Sequence, residues 1–211
     1  MNRNFNLLAL ISLACAVWFT ISTIIIHIIR SDLDFIEVAL STYAIGNSGM
    51  ILESGFYSIG LSQLLIAGIL FVQADVKKTA AFSILLAGLG VIIVGIYPAH
   101  IVPVDISIRL PHIAGATMQF LFFPVALLLL NRNMMAGRFR RYTTTTGVFT
   151  AVLFFLILLL FIVSQRVEIG FFGLVEKLNI VVINFWLLVM SWKLIWVFQE
   201  NPVFFKMPAG R

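Results

Sequence analysis

Six stretches of this chain carry almost no charge, and each is long enough to cross a bilayer. They run from about residue 5 to 29, 54 to 74, 79 to 97, 110 to 130, 143 to 164 and 174 to 198. An α-helix needs ~20 apolar residues to traverse the ~30 Å hydrocarbon core. The expected fold is therefore all-α and integral to a membrane: one six-transmembrane-helix bundle over residues 1–211. Of the 211 residues, 61% are hydrophobic and 11% charged, whereas a soluble domain carries about 25% charged residues. What is left for water is short loops and tails, so no separate globular domain is expected.

The net charge of +5 would suggest nucleic acid in a soluble protein. Here the basic residues lie beside span ends, where they set topology and meet anionic lipid. Membrane lipids, not nucleic acid, are the expected partners. Arg3, Lys77, Lys78, Arg132, Arg138, Arg140, Arg141, Lys206 and Arg211 fall on one side, against Arg30, Arg109, Arg166 and Lys177 on the other. The positive-inside rule then places both termini in the cytoplasm. Lys193, between Trp192 and Trp196, is expected to snorkel to the inner interface beside an aromatic belt. The single cysteine, Cys15, allows no intramolecular disulfide. The apolar run continues well beyond it, so the first segment is read as a retained span.

The longest connection, from about Arg30 to Glu53, lies on the outer side. Ser31 followed by Asp34 resembles a helix start, and the apolar residues 33–40 are too many for a solvated loop. A short helix lying in the interface or folded over the bundle is expected there, followed by turn residues Gly46 to Gly49. On the third span Ala81, Gly88 and Gly95 are seven apart and share one face, a packing stripe. Pro124 lies inside the fourth span and is expected to bend it.

Polar residues collect toward the outer side. His27, His100 and His112 are joined there by Ser41, Tyr43, Glu53, Tyr97, Asp105, Arg109, Glu176 and Lys177. Ionisable groups at membrane depth are costly and tend to face an interior or a water-filled cavity. Two helical stripes extend the set inward: His112, Ala116 and Gln119 on the fourth span, and Lys177, Asn184 and Ser191 on the sixth. Such residues line a cavity or act as hydrogen-bonding glue between helices. The candidate pocket is Ser41, Tyr43, Tyr97, Asp105, Arg109, His112, Gln119, Glu176, Lys177 and Asn184. With no HExxH, no paired histidines at helical spacing and no cysteine cluster, no metal and no cofactor is expected. A serine nucleophile with His112 as base needs only spatial neighbours, and Ser41, Ser54 and Ser58 lie on the correct side.

The order of several short motifs carries a family resemblance. Ser41 and Tyr43 form a Ser-x-Tyr. Gly55 to Leu61 reads Gly-Phe-x-x-x-Gly-Leu, and Gly95 to Pro98 reads Gly-Ile-Tyr-Pro. His112 opens the fourth span, and Gly173 to Leu178 reads Gly-Leu-x-Glu-Lys-Leu, with Trp186 further on. Over nearly its whole length the chain resembles the prokaryotic six-span membrane proteins of domain-of-unknown-function family 998. The resemblance implies a multi-pass protein of a prokaryotic plasma membrane. It also implies site-lining roles for Ser41, Tyr43, Pro98, His112 and Glu176, with Lys177 as the basic partner of Glu176. It implies no reaction. Ala99 and His100 stand where members often carry an acid. Two functions are open: binding or moving a lipid-like or small amphiphilic ligand in an outer polar pocket, or lipid-modifying hydrolysis by an outer-face serine with His112. A structural, partner-binding role is a third. The sequence does not give the oligomeric state.

Overall fold

Helices occupy the positions of the six uncharged stretches. The computed structural model describes residues 2–72, 76–98, 106–130, 137–164 and 170–200. In order these form α1 (Asn2–Ile29), α2 (Gly49–Phe71), α3 (Lys78–Ile96), α4 (Ile106–Leu129), α5 (Gly137–Ser164) and α6 (Phe172–Glu200). A 3₁₀ turn at Leu40–Ala44 lies between the first two, and the described residues contain no strand. All six helices are long and apolar enough to cross a membrane. The protein is an all-helical, multi-pass membrane protein.

Hydropathy places the start of the second span at about residue 54, but α2 begins at Gly49. A charge ends an apolar run without ending a helix, and Glu53 sits in the first turns of α2. Gly49 begins the helix because the chain doubles back tightly there: a Cβ on it would lie 1.9 Å from the Ala44 carbonyl oxygen. In α4, Pro111 and Pro124 both lie within the helix, each removing one backbone donor from its ladder.

Each helix packs against its neighbours in sequence, and α6 closes against α1, so the six form a ring. Small residues set the closest approaches. Gly90 of α3 and Gly115 of α4 face each other so tightly that a Cβ on either would lie within 2.7 Å of the other's carbonyl oxygen. The expected stripe on α3 packs on α2, with Gly88 against Gly60 and Gln63, and Gly95 against Phe56 and Tyr57. Polar contacts join α1, α2 and α6 where Ser12 Oγ lies 2.8 Å from both Ser62 Oγ and Ser191 Oγ. All three serines are fully buried. Between Val148 and Val163 every exposed side chain of α5 is apolar, Val152, Phe155, Leu159 and Ile162 among them, as suits contact with lipid.

The long connection after α1 marks what is called here the loop end of the bundle. Residues 31–39 are turns rather than a regular helix. Asp34, not Ser31, starts the one helical turn: its Oδ1 accepts the Ile36 and Glu37 N–H groups at 2.7 and 2.9 Å, and the Val38 N–H returns to the Asp34 carbonyl at 3.1 Å. The 3₁₀ turn that follows is buried at all five positions. The segment is folded over the bundle, because its backbone groups find partners on α6.

Candidate functional site

The first turn of a helix leaves backbone N–H groups without intrahelical partners. In α6 the strap of residues 35–40 supplies them. The Gly173 and Leu174 N–H groups donate to the carbonyls of Glu37 (3.1 Å) and Ile36 (2.8 Å). The Lys177 ammonium donates to the Phe35 carbonyl at 2.9 Å and to that of Val38. Glu176 Oε2 accepts the Leu40 N–H at 3.0 Å. Gly173 is required by this docking, since a Cβ there would lie 2.2 Å from the Val38 oxygen. The strap is braced from its other side by Tyr43, whose hydroxyl donates to the carbonyls of Leu33 and Asp34 at 3.2 Å each. Burial pushes the Tyr43 phenol up. The Glu37 and Ile36 N–H groups hold the Asp34 carboxylate below the usual carboxylate range. Arg30, hydrogen-bonded to Asp32, does the same there and ties the strap's far end by donating to the Ile45 carbonyl at 2.7 Å.

Glu176 and Lys177 are adjacent, so their side chains leave α6 about 100° apart. They face different spaces. Glu176 turns into the ring, where a hollow of about 20 Å³ is lined also by His112, Gln119, Phe19, Phe56 and Ile180. That volume accommodates about one water-sized species. Lys177 turns outward to a groove of about 450 Å³ between α1 and α6, beneath the strap. Ile24, Ile28, Val181 and Phe185 line this groove and are among the most exposed apolar residues of the bundle, so it opens on the lipid-facing surface. Its polar lining is Thr20, Thr23, His27, Lys177 and Asn184.

The predicted site residues therefore divide. His112, Gln119 and Glu176 meet at the interior hollow. Lys177 and Asn184 belong to the groove, and Tyr43 stands behind its wall, its ring centre 5.1 Å from the Lys177 Nζ and 4.5 Å from the His27 ring. Lys177 is not the ion-pair partner of Glu176; it is spent on strap carbonyls. Ser41 is buried in the 3₁₀ turn, its hydroxyl without a partner among the described residues. Tyr97 is exposed, and its carbonyl accepts from His112 Nδ1 at 2.7 Å. Arg109 is exposed and lines neither cavity. Asp105 and His100 lie outside the described residues. The other two histidines are on different cavities, His27 on the groove and His112 at the hollow. The hydroxyls of Ser54 and Ser58 donate to carbonyls of their own helix, so neither is set up as a nucleophile.

Thr20, Thr23 and Phe35 of the groove escaped the sequence reading. The available signal was the spacing of Thr20, Thr23 and His27, which puts three polar residues on one face of α1. These features define an integral membrane protein built as a ring of six helices, with a strapped loop end. The chain belongs to the family described as protein of unknown function (DUF998), whose model matches residues 13–193. No curated protein and no solved structure matches it.

Proposed function

We propose that this protein binds a lipid-like amphiphile in the groove between α1 and α6. One observation carries the reading: three buried polar atoms with no partner among the described residues, Thr23 Oγ1, His27 Nε2 and Asn184 Oδ1, all belong to residues lining this lipid-facing groove. A buried polar atom left unsatisfied costs about 1–3 kcal/mol. The groove's volume lies within the ~300–1,000 Å³ common for small-molecule sites, and the hollow at His112 does not.

The chemistry of the three atoms specifies the head group. A carbonyl only accepts, so His27 Nδ1, 2.7 Å from the Thr23 oxygen, carries the proton that joins them. A neutral imidazole then presents Nε2 as an acceptor. Asn184 donates its amide N–H to Thr20 Oγ1 at 2.8 Å and presents its oxygen. The head group must bring donors, as a hydroxyl or an amide N–H does. Lys177 sits at its edge, its ammonium 5.0 Å from the Phe35 ring centre, and favours an electronegative neighbour. The apolar chain would lie along Ile24, Val181 and Phe185. The setting proposed is a prokaryotic cytoplasmic membrane with both termini inside.

Native mass spectrometry of protein gently extracted from its own membrane tests this. The expected result is an adduct of lipid-like mass on the wild type. It is depleted about tenfold in Asn184→Leu, the equivalent of ~1.4 kcal/mol, and retained in His112→Ala. A bare wild-type mass, or an adduct lost in His112→Ala and kept in Asn184→Leu, would overturn the assignment.

A further inference from the structure

We propose that the hollow inside the ring is a binding site for one small monovalent cation, sodium or a proton carried as hydronium, held by the Glu176 carboxylate and the Gln119 amide oxygen. The site is separate from the groove and does not depend on what the groove holds.

Charge balance is the first ground. Glu176 is 8% exposed, and its hydrogen bond to Leu40 comes from a neutral backbone N–H. Lys177, its nearest cation in sequence, is turned to the groove and held by the Phe35 and Val38 carbonyls. Among the described residues the one ion pair within 4.0 Å is Arg30 with Asp32. A carboxylate buried without an ionic partner is strongly disfavoured unless a cation or a proton neutralises it.

Gln119 is the second and independent ground. It is 4% exposed, lines the same hollow, and its Oε1 has no partner among the described residues. A carboxylate and a free amide oxygen are both acceptors, so a species that fits them must donate protons or carry positive charge. Oxygen ligands of this type suit hard cations. The hollow's ~20 Å³ has room for about one water-sized species, which excludes the amphiphile's head group. One carboxylate is a sparse set for a divalent ion, and no group of three His, Cys, Asp or Glu residues suited to a metal occurs among the described residues.

The charged and titratable groups near Glu176 are few. His112 enters from α4, with Nδ1 toward the Tyr97 carbonyl, and Lys177 is on α6 itself. The lining from α1, α2 and α3 is apolar: Phe19, Phe56, Ile59, Val91 and Val94. Dehydrated walls of this kind leave Glu176 as the dominant charge in the hollow.

The test is the rate at which dicyclohexylcarbodiimide, an apolar reagent for protonated buried carboxyls, modifies the purified full-length protein. The adduct is located by peptide mapping of the wild type, so the result does not depend on how Glu176→Gln folds. The expected outcome is modification at Glu176. If sodium slows it about tenfold where equal potassium does not, the cation is sodium. If sodium has no effect and the rate falls as pH rises from about 5 to 9, the cation is the proton. Gln119→Leu is expected to weaken the sodium protection, or to move the pH profile by about one unit, a tenfold change in proton affinity. No modification at Glu176, a rate indifferent to sodium and to pH, or a Gln119→Leu protein identical to wild type in both would each overturn the proposal.

Discussion

The two faces of α6 near its start differ by more than direction. On one, Glu176 and Gln119 share a hollow that fits a single water-sized species. On the other, Lys177, Asn184 and His27 line a groove some twenty times larger, open to the lipid side. One residue of each space grips the same strap: Glu176, which lines the hollow, accepts the Leu40 N–H, and Lys177, which lines the groove, donates to the Phe35 carbonyl. An acidic–basic dipeptide on a helix is thus not an ion pair by default; the angular step between neighbours can send the charges into separate compartments. The strap links these two residues, so the compartments can be disturbed together or one at a time.

Disturbing both at once should have the largest effect. In Gly173→Val the new side chain must displace the Val38 carbonyl, which sits where the Cβ would go. Forcing atoms into an occupied space typically costs 1–3 kcal/mol. In a chain of this length that corresponds to a Tm lowered by roughly 2–4 °C per kcal/mol. Thermal unfolding in detergent measures this, and loss of both the lipid adduct and the Glu176 modification should accompany it. A Tm unchanged from wild type would mean that the strap is not docked as described.

Separating the compartments is the next test. Lys177→Met keeps the stem over Phe35 and Tyr43 but removes the donor to the strap carbonyls. It should weaken amphiphile retention about tenfold, as loss of ~1.4 kcal/mol would, and leave the carboxyl reactivity of Glu176 in place. Glu176→Gln should do the reverse. Parallel loss of both functions in each variant, read by native mass spectrometry and carbodiimide mapping, would show that the cavities are not independent.

Away from the loop end, Ser12→Ala should matter less. It removes the hydroxyl that joins Ser62 and Ser191, and hydrogen bonds between transmembrane helices average about 0.6 kcal/mol. A small drop in Tm with both cavities intact is expected. Larger losses would place more of the bundle's stability in the serine cluster than its geometry warrants.

The smallest effect expected is acid loosening of the strap. Asp34 is held below its unfolded value of about 3.9 by the Glu37 and Ile36 N–H groups. A depressed folded pKa stabilises fully above the unfolded value, and the contribution is lost as pH falls through the folded one. Amide hydrogen exchange at Ile36 and Glu37 should therefore lose relative protection only below about pH 4. Asp34→Asn, which retains an acceptor oxygen, should flatten that dependence.

The six spans were legible because hydrocarbon thickness imposes a length on each. The packing face of α3 was legible because Ala81, Gly88 and Gly95 repeat at the helical period. The start of α2 was not, since hydropathy stops at Glu53 while the helix is set by the tight approach of Gly49 to Ala44. Of the serine cluster only Ser191 drew a signal, in the polar stripe of the sixth span, where it proves to be glue between helices; Ser12 and Ser62 are unremarkable in their own helices, and their meeting depends on how three helices rotate. For the same reason one candidate pocket became two cavities. Sequence position gives depth in the bundle, which His27, His112, Glu176 and Lys177 share, but facing is a property of the assembled ring. The Gly-Leu-x-Glu-Lys-Leu motif was visible as a pattern; its role as the dock for residues 35–40 required the loop's carbonyls to be placed.

The claim that the groove selects its occupant is tested most directly by photocrosslinking in the native membrane. A photoreactive residue is placed at Val181 in the groove and, as a control, at Val152 on the exposed face of α5. The prediction is one defined amphiphile enriched at position 181, bearing hydroxyl or amide donors, against a mixture of bulk lipids at 152. The same bulk mixture at both positions would contradict it.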